Sequence, residues 1–475
     1  MTDRPNIVVI VCDTFRLDHI GAFGKNPTIR TPNLDALARD SVAFDHHLVS
    51  SFPTMPARAD ILTGRFAYTF MGWEPLPAGL PTLPALLSSA GYLTMGVVDT
   101  PFFIRGGYSY DRGFDDFIWV RGQGDDTRPQ ERSDARLTWR SEADRLVART
   151  MTAAEDWLER HYQEPFFLYV DTWDPHEPWD APDYYTRLYK PDYDGRLLYP
   201  AYGKWQEAGL TEEDVAVAHA TYCGEVTMVD RWVGRLLEKL DVLGLRENTI
   251  VLFTSDHGFY FGEHGYFGKA EWFHDPGAIV TAGSELPEWL PESWLLTVGW
   301  SPLYQELTRI PLLVRAPGLE PGLRHTLTTA PDLAPTILDL VGLEPPDGLQ
   351  GRSFRRSLSD AGHEHRSFVV SSWPLYFAEG ELTSAVDSQP RRILSYMPLT
   401  IATRTESVIL GGPSESPELY DLTADPGEQQ DLWAERTAAG VELCQAAVAF
   451  LEDCATPEAF LAPRREALKP FAEGA

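Results

Sequence analysis

Three widely separated stretches hold side chains that could act on one substrate: Cys12-Asp13, the run from Ser51 to Arg65 around Thr54, and Ser255-Asp256-His257-Gly258. Thr54 sits just before a proline-started turn that Gly64 closes, so it reads as a helix N-cap with Pro56 as an early helical residue. Unpaired N–H groups and the positive end of the helix dipole would then favour an anion beside its hydroxyl. Asp13, Asp256 and His257 supply two carboxylates and an imidazole. That donor set suits one divalent ion, Mn²⁺, Zn²⁺, Ca²⁺ or Mg²⁺, and does not choose among them. A threonine hydroxyl is a weak nucleophile until its proton leaves, and coordination to a divalent cation is one route to that loss. The expected metal set is therefore Asp13, Thr54, Asp256 and His257. Taken singly, Thr54 would only cap a helix and Asp13 a turn; the combination carries the argument.

The elements that must bring these residues together read as buried strands. Asn6 to Val11, Thr94 to Val98, Pro165 to Val170 and Thr249 to Thr254 are apolar and largely β-branched, the pattern of strands buried on both faces of a parallel sheet. In open α/β sheets ligands bind beyond the carboxyl ends of strands, where Asp13 and Asp256-His257 fall. Helical stretches are expected between them: from a Thr31 cap to about Phe44, from Thr82 to Gly91, from Ser141 to Tyr162, and from a Thr211 cap to about Leu240. In the last, Val226, Val229, Val233, Leu236, Leu237 and Leu240 recur at three- and four-residue steps, a face for packing on the sheet to which no chemistry is assigned. Strand and helix alternate, which predicts a doubly wound α/β sheet. A further strand over Pro311 to Val314 and a helix over Ala330 to Val341 follow. From about Ser367 the pattern changes to short β-type runs, Ser367 to Ser371, Arg392 to Tyr396, Leu399 to Thr403 and Ser407 to Leu410, and a terminal helix. The expected division is a catalytic domain over 1–365 and a subdomain over 366–475.

The pattern Thr54-x-Pro56-x-Arg58-x-x-x-Leu62-Thr63-Gly64-Arg65 resembles the signature of the sulfatase family within the alkaline phosphatase superfamily. Pro175-His176-Glu177-Pro178 resembles the family segment whose His contacts the substrate oxyanion, and Gly262-Glu263-His264-Gly265 with Gly268-Lys269 resembles the one whose Lys meets the substrate anion. Arg112-Gly113-Phe114-Asp115 is similar to a family loop, and Glu418 to Glu428 resembles the end of many sulfatases, so the resemblance covers nearly the whole chain. It implies an alkaline-phosphatase-like fold: a mixed, mainly parallel sheet with helices on both faces, plus a smaller C-terminal α+β subdomain. Two departures stand out. Most sulfatases have, at the position of Thr54, a Cys that is oxidised to formylglycine, and Val98-Asp99-Thr100-Pro101-Phe102 replaces a Gly-Lys-Trp-His stretch. Where sulfatases more often have Asn, His257 gives an Asp-His pair similar to that of phosphonate monoester hydrolases and of lipoteichoic acid synthases, the latter of which also use Thr as nucleophile.

Formylglycine hydrate can expel sulfate by collapsing to its aldehyde, whereas threonine has no second hydroxyl on the reacting carbon. The expected activity is therefore hydrolysis of a phosphoester or phosphonate ester through a phosphothreonine at Thr54. Lys269 and His176, whose roles the resemblance implies, are expected to neutralise charge on the equatorial oxygens together with the metal and Arg58. Two other readings stay open: an atypical sulfuric ester hydrolase, and a binding protein that kept the fold without turnover. An insertion over 271–302, with Trp272, Trp289, Trp294 and Trp300, is expected to be a loop over the pocket or a subunit contact.

Composition bounds the partners. The 475 residues carry a formal charge of −30, which argues against broad nucleic-acid binding. No apolar run reaches membrane-spanning length. The partner expected is a small anionic ester, with no nucleic acid and no membrane, and a homo-oligomer left open. Cys12, Cys223, Cys444 and Cys454 are spread without paired or metal-type spacing and are expected to be reduced thiols. The opening Met1-Thr2-Asp3-Arg4-Pro5-Asn6 leads into a strand without an apolar signal segment, so a cytoplasmic location is expected.

Overall fold

A computed structural model describes residues 4–104, 107–122, 139–269, 301–375, 398–411 and 416–472. The expected strand from Arg392 to Tyr396 and all of the 271–302 insertion but its last two residues lie outside them.

The apolar runs become the middle of a nine-stranded sheet. In chain order its strands are β1 (Asn6–Cys12), β2 (Val42–Leu48), β3 (Leu93–Val98), β4 (Asp116–Trp119) and β5 (Phe166–Thr172). After the short β6 (Gly203–Lys204) come β7 (Thr249–Ser255), the hairpin strands β8 (Tyr260–Phe261) and β9 (Tyr266–Gly268), and then β10 (Arg309–Arg315), β11 (Gly322–Arg324) and β12 (Thr328–Thr329). The order across the sheet is β11-β2-β10-β7-β1-β5-β3-β4, with β12 also beside β2, while β6, β8 and β9 form a separate three-stranded sheet. Both pairings of β10, with β2 and β7, are antiparallel; the other pairings in the large sheet are parallel.

Register does the positioning. Cys12 at the end of β1 pairs with Thr172 of β5 on one side and Ser255 of β7 on the other, so Asp13 and Asp256 leave adjacent strands at the same level. Both faces are covered, as a parallel sheet requires. Val8, Ile10 and Cys12 pack towards helices Leu146–His161 and Glu212–Val242, and Ile7, Val9 and Val11 pack towards the opposite layer. All six apolar residues predicted to face the sheet from Glu212–Val242 lie in that core. Thr211 starts this helix with a reciprocal cap to Asp214.

Two local expectations are corrected. The helix from Thr31, α1 (Pro32–Arg39), ends before Ser41, and the stretch read as its continuation is strand β2. Val42 to Leu48 gains an antiparallel ladder from β10, with one register shift between Ile310 and Leu312, a distant partner that local periodicity does not reveal. Thr54 is the first residue of α2 (Thr54–Thr63) rather than its cap; Pro53 holds that place, and its carbonyl accepts the Ala57 N–H at 3.1 Å. The Thr54 hydroxyl is thereby released from capping. Gly64 closes α2 at φ 64°, the left-handed conformation that glycine adopts without strain.

The C-terminal layer is an antiparallel sheet of β13 (Val369–Ser372), β14 (Leu399–Ala402), β15 (Glu406–Leu410) and β16 (Glu418–Asp421), with helices Trp433–Asp453 and Glu458–Ala472. Its core is continuous with the entrance of α2: Phe52 packs edge-on against Trp373 at 4.6 Å between ring centroids, and Ser51 bridges to Ser372. Among the described residues no helix is long and apolar enough to cross a membrane.

Candidate active site

Asp13, Asp256 and His257 meet beside Thr54 in the interior, with their ligand atoms within 4.8 Å of one another. Thr54 Oγ1 lies 3.4 Å from His257 Nε2, which is 3.5 Å from Asp256 Oδ2 and 3.9 Å from Asp13 Oδ1. His257 Nδ1 donates to the Gly258 carbonyl at 2.9 Å, so Nε2 turns its lone pair toward the cluster. Burial pushes this imidazole down to about 3, which keeps it neutral and able to ligate. Thr14 has φ 61°, strained for a β-branched residue, and this conformation aims its N–H at Asp256 Oδ1, 2.9 Å away.

Arg58 follows Thr54 by four residues on α2, hence on the same face. Its guanidinium is fully buried and shared: Nη1 donates to Asp256 Oδ2 at 2.5 Å, to Asp13 Oδ2 at 3.1 Å and to the Thr54 carbonyl at 3.1 Å, while Nε and Nη2 reach Asp171 at 2.9 Å. Three carboxylates thus share one guanidinium, an excess of two negative charges if all are ionised. Burial, then repulsion from Asp256, pushes Asp13 well above the usual carboxylate range. Burial opposes ionisation of Asp256 as well, but Arg58, the Asp13 side chain and the Thr14 N–H outweigh it and hold it low. Buried charge without full compensation is costly, and a divalent cation among these donors would remove the excess. The residues present therefore fit such an ion.

Lys269, whose plain reading is a solvated charge, is buried, and its Nζ donates to His176 Nε2 at 2.7 Å. His176 Nδ1 donates to the Glu177 carbonyl at 2.7 Å. Burial and the Lys269 charge push His176 well below the ordinary imidazole range, so it is the neutral acceptor of the pair. The field of Lys269 also reaches Asp13 and His257.

Reading residues one stretch at a time missed what holds Arg58. Asp171, at the end of β5, accepts from Tyr169 at 2.8 Å and from Thr100 Oγ1 at 2.5 Å as well as from Arg58. Next to it, Asp99 accepts the hydroxyls of Thr150 and Thr172 at 2.6 and 3.0 Å. The stretch that departs from Gly-Lys-Trp-His thus supplies the braces for an acid at the carboxyl end of a parallel strand, a location that was itself a signal. Asp60 braces α2 from the other side, accepting from Ser51 N–H, Ser51 Oγ and Ala67 N–H at 2.7–2.8 Å.

Residues 5–343 match the family model described as Sulfatase, and residues 301–386 match the one described as N-sulphoglucosamine sulphohydrolase, C-terminal. Over 454 residues the chain is 27% identical to an ulvan-active sulfatase of Formosa agariphila, covering 90% of this chain and 77% of that one. Over 441 residues it is 26% identical to the multifunctional alkaline phosphatase superfamily protein PehA of Trinickia caryophylli, covering 75% and 77%. The solved phosphonate monoester hydrolase of Agrobacterium radiobacter shares the fold, with a TM-score of 0.71 at 21% identity over 95% of this chain and 96% of that one.

Proposed function

The chain belongs to the sulfatase family of the alkaline phosphatase superfamily, and from that premise we propose a metal-dependent hydrolase that cleaves a phosphoester or phosphonate ester through a covalent phosphothreonine at Thr54. The observation that carries this reading is the placement of Thr54 Oγ1, free of capping, 3.4 Å from the inward-facing Nε2 of His257 within the Asp13-Asp256-His257 cluster. Those three side chains and Thr54 would hold the cation. A divalent cation bound there would lower the pKa of the hydroxyl and offset the charge of an anionic substrate.

In the first step a Thr54 Oγ1–P bond forms as the bond from phosphorus to the leaving alcohol breaks, and the hydroxyl proton passes, in net terms, to that alcohol. In the second, water attacks phosphorus in line as the Thr54 Oγ1–P bond breaks, and one proton of that water passes, in net terms, to Oγ1. Lys269, donating to neutral His176, presents a cation to the equatorial oxygens. Arg58 acts as a positioning residue, because its donors are spent on Asp13, Asp171, Asp256 and the Thr54 carbonyl. Relatives named for sulfate and for phosphonate esters support a small anionic ester as substrate. An atypical sulfuric ester hydrolase is the second reading, favoured by the ulvan-active relative and opposed by the lack of a second hydroxyl on the Thr54 β-carbon.

The test is a panel of nitrophenyl phosphate, bis-nitrophenyl phosphate, a nitrophenyl phosphonate and nitrophenyl sulfate, each with Mn²⁺, Zn²⁺, Ca²⁺ or Mg²⁺. A phosphorus ester should be the best substrate. Preference for the sulfate would move the assignment to sulfur, and silence with every pair would contradict an enzyme of either kind.

A further inference from the structure

A second group of donor atoms converges where the segment leaving β1 meets the helix Glu212–Val242. His19 Nε2 is 2.9 Å from His219 Nε2, Cys223 Sγ is 3.7 Å from the same His219 atom, and all three donors lie within 4.8 Å of one another. His219 and Cys223 are four residues apart on one helix and so share a face. His19 and Cys223 are buried and His219 is half-buried, which leaves a way in from solvent.

Hydrogen bonding engages these three donors only two at a time. Asp18 Oδ1 can only accept, and at 2.7 Å it takes the His19 Nδ1 proton, which in neutral His19 leaves Nε2 with a lone pair aimed at His219. His219 Nε2 carries one hydrogen or one lone pair, so it can serve His19 or Cys223 but not both. A cation accepts all three lone pairs at once. A tetrahedral zinc ion, with Zn–N about 2.0–2.1 Å and Zn–S about 2.3 Å, sets its nitrogens roughly 3.3 Å apart and sulfur roughly 3.6 Å from nitrogen. The 3.7 Å contact already matches, and the 2.9 Å contact needs the two rings to part by only about 0.4 Å.

We propose that His19, His219 and Cys223 form a zinc site separate from the Asp13-Asp256-His257 cluster, with the fourth position taken by water. The thiolate and two imidazoles select zinc over the harder cations suited to the carboxylate cluster. Asp18 supplies the carboxylate that zinc-bound histidines use to fix tautomer and ring orientation. It is itself held by Arg16 Nε at 2.9 Å and Nη2 at 2.7 Å. Arg16 also donates to the Phe259 carbonyl at 2.8 Å and to Glu263 at 2.7 Å, so the ion would clamp the β1 exit, the long helix and the segment between Asp256 and Lys269. Binding replaces the thiol proton of Cys223, which is released to solvent.

The experiment is titration of the reduced, metal-free full chain with Co²⁺, read by absorption. A thiolate-to-cobalt charge-transfer band in the near ultraviolet is expected, since the Asp13-Asp256-His257 cluster has no sulfur ligand. The band should persist in Asp256→Asn and vanish in Cys223→Ser and His219→Gln, each of which should also retain one zinc equivalent less than wild type after dialysis. Absence of the band from folded wild-type protein in excess Co²⁺ would overturn the site, whatever the variants do. So would its persistence in Cys223→Ser. Because Asp256→Asn disables only the other cluster, failure of the catalytic reading leaves this result unchanged.

Discussion

Two buried carboxylate sites in this molecule contrast. Asp332 and the trio Asp13, Asp171 and Asp256 are all shut away from solvent. Asp332 is one acid with a full set of donors: Arg366 pairs with both of its oxygens at 2.5 and 2.7 Å, and the Arg352 N–H, the Thr329 N–H and His365 Nε2 add contacts at 2.8, 3.2 and 3.1 Å. Burial works against its ionisation, but Arg366 and His365 outweigh it and hold the carboxyl well below the usual range. The trio divides one guanidinium among three acids, and its member Asp13 is pushed upward instead. The lesson is that burial alone does not mark a reactive carboxylate. A saturated one is architecture, and an under-compensated cluster beside a free hydroxyl is where a cation and a substrate belong.

The largest predicted effect lies on the unsaturated side. Thr54→Ala should cut turnover by at least about a thousandfold while bound metal stays near the wild-type level; near-normal rates would remove Thr54 from the chemistry. On the saturated side, Asp332→Ala strands Arg366 in the interior and should cost about 3–5 kcal/mol in a urea melt. The same variant should keep its metal, and metal loss there would erase the contrast. Asp256→Asn should reverse the pattern, losing metal and activity together. Manganese at about a hundredfold excess over its Kd should stabilise wild type by about 2.7 kcal/mol and leave Asp256→Asn unmoved. An equal response in both would place the ion elsewhere. The smallest effect is in pH. A carboxyl whose folded pKa is depressed contributes stability above its unfolded pKa of about 3.9 and loses it as pH falls toward the folded value. Asp332→Asn should therefore flatten the acid limb of the stability curve below about pH 4, and an unchanged limb would show that Asp332 is not held ionised.

Much of this contrast was visible in the amino-acid order because strands buried on both faces are written as unbroken apolar runs. Asn6 to Val11 and Thr249 to Thr254 are such runs, and the acid after each one falls at the carboxyl edge of the sheet. What could not be read was long-range pairing. β2 follows a helix without a turn signature strong enough to separate it, and its partner β10 lies far along the chain. The engagement of Arg58 by Asp171 spans 113 positions and leaves no local trace. Thr54 was displaced from its expected cap by one residue, since Pro53 supplies the carbonyl that starts the helix. His219 and Cys223 stand four apart, yet cysteine spacing alone conceals them, because His19 lies 200 positions away from His219.

The reading of Thr54 as nucleophile is tested most directly by stereochemistry. A phosphorothioate diester of one configuration at phosphorus, hydrolysed in oxygen-18 water, should give product with retained configuration, because attack by Thr54 and then by water inverts phosphorus twice. Inverted product would mean that water attacks the substrate directly and that no phosphothreonine forms.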